Sequence, residues 1–172
     1  MHLVCVATDH PDFRALTAKL DAELTDRYGP GQKAYDIHNR IAPIATAMVG
    51  YMDDRPVACG CFKRIDDATI EIKRMFVEGT CRGTGHGRML LQALEAWGAG
   101  MGCRRAILET GKGQPEAIAL YRKCGYRRIE NYGPYEGMEN SVCFAKAIGP
   151  GREDGGSGFL PRGDIAKPPR LI

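Results

Sequence analysis

The sequence predicts an α+β fold in which helices flank one central sheet that is mixed but mostly antiparallel. Three consecutive apolar segments separated by short turns indicate an antiparallel meander, and the last of them precedes a helix and a further strand. A strand–helix–strand unit needs a crossover connection, so that pair of strands is predicted to be parallel. The length of 172 residues favours one domain, placed at residues 1–148.

The first predicted elements are a short buried strand and an amphipathic helix. Residues 3–7 form an uninterrupted apolar run, which is typical of a buried strand. Thr8 or Asp9 is the expected N-cap of a helix over residues 11–28. The apolar positions that recur at helical spacing there are Phe13, Leu16, Leu20 and Leu24. Residues 32–43 stay ambiguous, with a second short helix as one reading.

The sheet is predicted to continue with strands at residues 44–52, 56–65 and 69–77, because acidic turn signals separate these segments. A helix over residues 84–98 follows. Its apolar face is expected to consist of Leu90, Leu94, Trp97 and Met101. The remaining predicted elements are a strand at 105–110, a helix at 114–124, and strands at 126–129 and 141–147.

Residues 149–172 differ in composition from the rest of the chain, since they are rich in Gly and Pro and poor in apolar residues. Such a segment buries too little apolar surface to pack as a core element, so a flexible tail is predicted. A segment that docks on a partner subunit is the alternative.

Composition limits the classes of partner. The net charge of +3 is too small to indicate nucleic acid, and no apolar run is long enough to indicate a membrane-spanning helix. The seven cysteines lack the spacing of a zinc site, which indicates reduced thiols and no bound metal. Because no signal-peptide pattern is visible, a cytoplasmic protein is expected.

The segment from Ile70 to Leu91 carries the strongest chemical signal. A strand ends near Val77, a glycine-rich loop follows, and a helix begins within the glycines. A helix start presents unpaired backbone N–H groups and the positive end of the helix dipole, and glycines let an anion approach closely. With Arg82 and Arg88 beside it, the loop suits a diphosphate.

Two common phosphate-binding motifs do not fit this loop. The dinucleotide pattern G-x-G-x-x-G fails, because the position of its third glycine holds Arg88 in one register and Leu90 in the other. The P-loop pattern fails too, because Gly111-Lys112 is followed by Gly113 instead of Ser or Thr.

Two separated blocks resemble the GNAT superfamily of N-acetyltransferases. Arg82-Gly83-Thr84-Gly85-His86-Gly87 matches the superfamily signature Gln/Arg-x-x-Gly-x-Gly/Ala between a central strand and a helix. The segment from Gln114 to Tyr126 is similar to the superfamily's final helix, with its Ala-x-x-Leu-Tyr-x-x-x-Gly-Tyr pattern intact. The resemblance implies a GNAT-like acyl-CoA N-acyltransferase fold, whose central strand bulges and splays from the next parallel strand at the CoA site, and acetyl-CoA as the cosubstrate.

The resemblance also implies roles for individual residues. Pantetheine is expected to pair with the backbone of Met75, Phe76 and Val77, and the Met75 amide to donate to the thioester carbonyl. Gln114 falls where many relatives carry an asparagine near pantetheine. Tyr121 matches the frequent general acid, with a packed helix tyrosine as the alternative. The residues assigned to the CoA diphosphate are Arg82, Gly83, Thr84, Gly85, His86, Gly87 and Arg88.

The general base stays open between Glu71 and Glu109, each of which has a surface ion pair with Lys73 or Arg74 as its alternative role. The acceptor pocket is expected between the segment around His38 and the loop before the last strand, although ordinary surface positions and loop packing are alternatives. Arg74 and Lys73 are candidates for binding a carboxylate on the acceptor. The residues assigned to the acceptor are Tyr35, His38, Asn39, Arg74, Tyr132 and Tyr135.

Three functions remain after these assignments. The first is acetyl transfer to a primary amine of a small molecule by direct attack in a ternary complex. The others are a protein acetyltransferase acting on lysine or an N-terminus, and a CoA-binding module without catalysis. Related enzymes are often dimers, so a homodimer is among the expected assemblies.

Overall fold

A computed structural model of the chain describes residues 1–29 and 46–149. Within these ranges the fold is one seven-stranded sheet with the order β1-β2-β3-β4-β5-β7-β6 and three α-helices. Only β4 and β5 pair in parallel, so the predicted mixed and mostly antiparallel sheet is confirmed. The elements are β1 (His2–Val6), α1 (Pro11–Tyr28), β2 (Thr46–Met52), β3 (Arg55–Arg64), β4 (Thr69–Val77), α2 (His86–Gly100), β5 (Arg105–Gly111), α3 (Pro115–Lys123), β6 (Arg127–Ile129) and β7 (Ser141–Ala147).

The sheet has an apolar cluster on each face, because successive strand residues point to opposite sides. On one face Ile70 and Ile72 of β4 pack with Leu90 and Leu94 of α2. On the other face Phe76 of β4 belongs to the cluster that contains Phe13 and Leu16 of α1. The central strand is therefore covered on both sides.

Three details of the predicted helices differ from the structure. Helix α1 is capped by His10, whose Nδ1 accepts the Asp12 amide at 3.3 Å, and not by Thr8 or Asp9. Helix α2 begins at His86 instead of Thr84, since Gly83 and Gly85 have φ of +78° and +90°, outside the helical region. Met101 lies beyond the last turn and is exposed, so it is not part of the buried helix face.

Some sequence-based predictions lie outside the described residues. These are the ambiguous segment at 32–43, the start of the strand predicted at 44–52, and the tail beyond residue 149. In the described ranges no helix is long and apolar enough to cross a membrane. Likewise, no group of three His, Cys, Asp or Glu side chains there is arranged to hold a metal ion.

Candidate active site

Strand β4 contains a β-bulge beside the middle of the sheet. Cys59 pairs with Phe76 and Cys61 pairs with Lys73, so two steps along β3 correspond to three along β4. Arg74 sits in the extra step with a left-handed φ of +59°. A non-glycine residue in this conformation costs about 1–2 kcal/mol, so the surroundings must hold it there.

The side chain of Arg74 accounts for part of that support. Its guanidinium forms two hydrogen bonds of 2.7 Å to the carboxylate of Asp21 and a third of 3.0 Å to the carbonyl of Thr17. Both partners belong to α1, so the bulge is tied to this helix. These guanidinium donors of Arg74 are therefore bonded to the protein itself, although Arg74 also borders a cavity.

The two parallel strands, β4 and β5, stop pairing just before the bulge. Their pairing runs from Thr69–Arg105 to Ile72–Leu108, yet β4 continues to Val77 and β5 to Gly111. The strands therefore diverge into an open wedge, which confirms the predicted splay. Because Met75, Phe76 and Val77 lie in the diverging part of β4, their backbone toward β5 is not used in that pairing.

Two adjoining cavities with shared lining residues follow the wedge. The long groove, of about 470 Å³, runs from the glycine loop past Met75 to Tyr121. The inner cavity, of about 110 Å³, continues from there to Lys73 and Glu109. The residues that line both are Leu20, Leu24, Met75, Gln114, Ala117 and Tyr121.

The glycine loop opens onto the long groove. A Cβ atom built on Gly83 or Gly85 would meet no other atom within 4 Å, so the backbone is accessible there. The first amide bonded in the ladder of α2 is that of Met89, which donates to the Gly85 carbonyl at 3.0 Å. The earlier amides of α2, at His86, Gly87 and Arg88, thus have no acceptor one turn back in the helix. This arrangement can hold an anion.

Tyr121 and Gln114 stand where the two cavities meet. Tyr121 is buried against Tyr126 and Phe144, and burial raises the pKa of its phenol, which therefore stays protonated at neutral pH. The Gln114 side-chain oxygen accepts from the Thr110 hydroxyl at 3.1 Å and from the Gly111 amide at 3.2 Å. Gln114 thereby fixes the turn between β5 and α3.

The two candidate bases occupy different surroundings. Glu109 lines the inner cavity and accepts the Ser141 hydroxyl at 2.6 Å. Burial raises the pKa of the Glu109 carboxyl, and the Ser141 hydrogen bond and the Lys73 charge partly oppose that rise. Glu71 is 2% exposed and lines neither of the two cavities. Of these two candidate bases, Glu109 is therefore the one whose position borders a cavity.

Glu71 forms ion pairs, as its alternative role predicted, but its carboxylate and Lys73 are buried and not at the surface. Its carboxylate lies 3.0 Å from Lys63 and 3.5 Å from Lys73 and accepts the Tyr132 hydroxyl at 3.0 Å. Lys73 also donates to the Tyr135 hydroxyl at 2.9 Å. The two tyrosines thus fasten the loop before β7 to β4, on the side of the inner cavity.

Comparison with known proteins agrees with this geometry. Residues 13–126 match the family described as the Acetyltransferase (GNAT) family. This chain belongs to the GNAT acetyltransferase family. It is therefore an acyltransferase, and the predicted superfamily is confirmed.

Individual relatives of this GNAT acetyltransferase resemble it over most of their length. An IAA acetyltransferase of Azospirillum brasilense is 35% identical over 123 residues, which cover 70% of this chain and 80% of the relative. A structure from Klebsiella pneumoniae, provisionally named an acyl-CoA N-acyltransferase, has a TM-score of 0.72 at 30% identity and covers 86% of this chain and 97% of its own. A GNAT acetyltransferase of Elizabethkingia anophelis with acetyl-CoA bound shares the fold, with a TM-score of 0.62 at 16% identity and coverage of 86% and 97%.

The polar side chains of the GNAT signature mostly hold the loop itself. The Thr84 hydroxyl donates to the Cys81 carbonyl at 2.7 Å, and His86 Nδ1 lies 2.8 Å from that hydroxyl and 3.2 Å from the same carbonyl. Arg82 donates from Nε to the Val77 carbonyl at 2.7 Å and stacks over Phe76. The side chains of Thr84 and His86 therefore stabilise the loop, whose backbone faces the groove.

Helix α1 supplies a wall of the GNAT site that sequence reasoning missed. Glu23 forms two 2.8 Å hydrogen bonds with Arg82 of the glycine loop. One turn later Arg27 lies 2.7 Å from Glu116 of α3 and from the Gly113 carbonyl. The helix therefore spans the long groove. The signal available was the spacing of Leu20, Glu23, Leu24 and Arg27, which places them on one helix face.

The predicted acceptor residues divide into three groups. Tyr132 and Tyr135 stand in the Glu71 cluster, and Arg74 is bonded to α1. Tyr35, His38 and Asn39 lie outside the described residues. Lys73, the other candidate for binding an acceptor carboxylate, borders the inner cavity, and so does Asn140, which was not among the predicted acceptor residues.

Proposed function

We propose that this enzyme transfers the acetyl group of acetyl-CoA to a primary amine of a small molecule by direct attack in a ternary complex. The observation that carries the proposal is the pair of adjoining cavities that extend from the open glycine loop, along the splayed edge of β4, to Tyr121 and Glu109. Each part of these cavities matches one chemical part of the reactants.

The residues along the groove fit the donor. The free amides at the start of α2 suit a diphosphate, and Arg88 adds positive charge to the same wall. The unpaired edge of β4 at residues 75–77 suits the amide groups of pantetheine, which would add to the sheet like a short strand. A donor bound in this way would have its thioester at the junction of the two cavities.

The chemistry follows from that placement. The acceptor nitrogen attacks the carbonyl carbon of the thioester. The carbonyl oxygen gains negative charge in this step and accepts a hydrogen bond from the Met75 amide. Such a preorganised donor contributes about 3 kcal/mol to the transition state. The C–S bond then breaks, and the sulfur leaves as a thiolate. Tyr121 lies at this junction and donates a hydrogen bond from its protonated phenol to that sulfur.

We assign the role of general base to Glu109. The acceptor amine must lose a proton, and Glu109 is the candidate carboxylate that lines the inner cavity. Its raised pKa makes it a stronger base than an exposed glutamate once it is ionised. Glu71 has a supporting role, since it holds Lys73 and Tyr132 in place.

The size of the inner cavity favours a small acceptor over a protein. It has a volume of about 110 Å³, and the C-terminal end of α1 contributes Leu24 and Tyr28 to its wall. A peptide chain would need an open groove on this side. The non-catalytic reading loses support because a candidate acid and a candidate base stand in one cavity of a GNAT acyltransferase.

Thiol release from acetyl-CoA across a panel of small amines and lysine peptides tests the proposal. We expect turnover with small amines, and we expect Tyr121→Phe to lower kcat by about 10- to 1000-fold, in the range of a lost transition-state hydrogen-bond donor. Its effect on the Kd of CoA should be small. Faster turnover with the peptides would favour the protein acetyltransferase, and CoA binding without any turnover would refute the proposal.

A further inference from the structure

Two oppositely charged side chains face each other across the wedge between β4 and β5. Glu71 pairs with Ile107, so two residues further along each strand Lys73 and Glu109 reach matching positions just after the pairing ends. Both line the inner cavity. In the described part of the chain each is bonded elsewhere, Lys73 to Glu71 and Tyr135 and Glu109 to Ser141, and no ion pair joins them.

Lys73 belongs to a cluster of two ammonium groups and one carboxylate, and the carboxylate of Glu109 is a further charge that acts on it without an ion pair. The single carboxylate of Glu71 serves both Lys63, at 3.0 Å, and Lys73, at 3.5 Å, so these three groups carry a net positive charge. Lys73 is 9% exposed, and its loss of hydration lowers the pKa of its ammonium group. A buried cation in this position gains from an anionic partner inside the cavity.

The other cation at the cavity does not have this property. The guanidinium of Arg74 is matched by the carboxylate of Asp21 through two hydrogen bonds of 2.7 Å. Of the two candidates for binding an acceptor carboxylate, Arg74 and Lys73, the structure therefore favours Lys73.

We propose that the acceptor is a small amino acid, with its nitrogen directed to Glu109 and its own carboxylate directed to Lys73. A separated cation and anion in one small cavity complement a molecule that carries both charges. This inference names the substrate class of the same site and rests on the proposed acetyl transfer.

Matched acceptors test this assignment. The probes are the α-amino acids, each with its carboxamide and its decarboxylated amine, and the measured quantity is kcat/KM with acetyl-CoA. We expect the best amino acid to exceed its carboxamide by about 10- to 100-fold, which is the range of one charged hydrogen bond. Lys73→Gln should bring that ratio close to one, mainly by raising KM for the amino acid.

Lys63→Gln is the matched control. It removes the same charge from the same partner, Glu71, but Lys63 is half exposed and lines neither of the two cavities, so the ratio should be kept. If Lys73→Gln slows the acid and the amide equally, Lys73 is structural and the inference is wrong. The ratio in the unaltered enzyme decides the matter even if that variant does not fold.

The outcomes also separate the inference from the function on which it rests. Amines without a carboxylate that are acetylated as well as the amino acids would overturn the inference and leave acetyl transfer intact. If no amine of any class releases thiol from acetyl-CoA, the proposed function itself fails, and the substrate class falls with it.

Discussion

At the scale of single residues, the hydrogen bond between Ser141 and Glu109 offers a test of the base. Burial raises the pKa of Glu109, and the Ser141 hydroxyl holds it lower than burial alone would. A base must be ionised, so kcat/KM should rise with pH through this pKa. Ser141→Ala removes the 2.6 Å hydrogen bond that lowers the pKa of Glu109, so we expect the acid limb of the pH profile of kcat/KM to move to higher pH.

Glu109→Gln is the companion variant, because it removes the titrating group without changing the side-chain volume much. We expect it to abolish the acid limb and most of the turnover. An acid limb that stays in place in both variants would show that another group accepts the proton, and Glu71 would then be the next candidate to substitute.

At the scale of secondary-structure elements, α1 is held across the groove by an ion pair between Glu23 and Arg82, which we expect to compete with the donor. Glu23 and Arg82 are both partly exposed, so their pairing contributes about 0.2–1 kcal/mol. A diphosphate at the glycine loop would draw on the same guanidinium. Glu23→Gln should therefore lower the KM for acetyl-CoA by about two- to five-fold, measured by steady-state kinetics at low salt.

Asp26→Asn controls for this effect, because it removes a negative charge from the exposed side of the same helix, away from the groove lining. The KM of this variant for acetyl-CoA should stay near that of the unaltered enzyme. An unchanged or higher KM in Glu23→Gln would mean that the pair organises the groove for the donor instead of competing with it.

Helix α2 approaches β4 at Gly98, where close packing leaves no room for a side chain. A Cβ atom at this position would lie 2.5 Å from Cδ1 of the fully buried Ile70. We expect Gly98→Ala to lower the free energy of unfolding by about 1–3 kcal/mol in urea titrations. Gly100→Ala in the same helix meets no atom within 4 Å and should be neutral or stabilising. Equal stability of the two variants would contradict this packing.

At the scale of the whole molecule, the features encoded locally were predictable and those that depend on distant residues were not. The meander, the parallel crossover and the glycine loop follow from short patterns of apolar, turn and glycine residues. The bulge also agreed with the resemblance, but its left-handed residue is Arg74, a residue type that gives no local sign of that conformation.

The position of α1 could not be read from the sequence, because its contacts join residues far apart in the chain. Glu23 and Arg82 are 59 positions apart, and Arg27 and Gly113 are 86 apart. The choice between Glu71 and Glu109 had the same difficulty. Both are acidic strand residues, and only the pairing of β4 with β5 and the docking of the loop before β7 show which one meets a cavity.

The distance between bound CoA and the start of α2, measured in a crystal structure of the acetyl-CoA complex, tests the central claim most directly. We expect diphosphate oxygens about 3 Å from the amide nitrogens of the glycine loop and the first turn of α2, and the thioester oxygen at a similar distance from the Met75 amide. A donor bound elsewhere, with these amides facing only solvent, would contradict it.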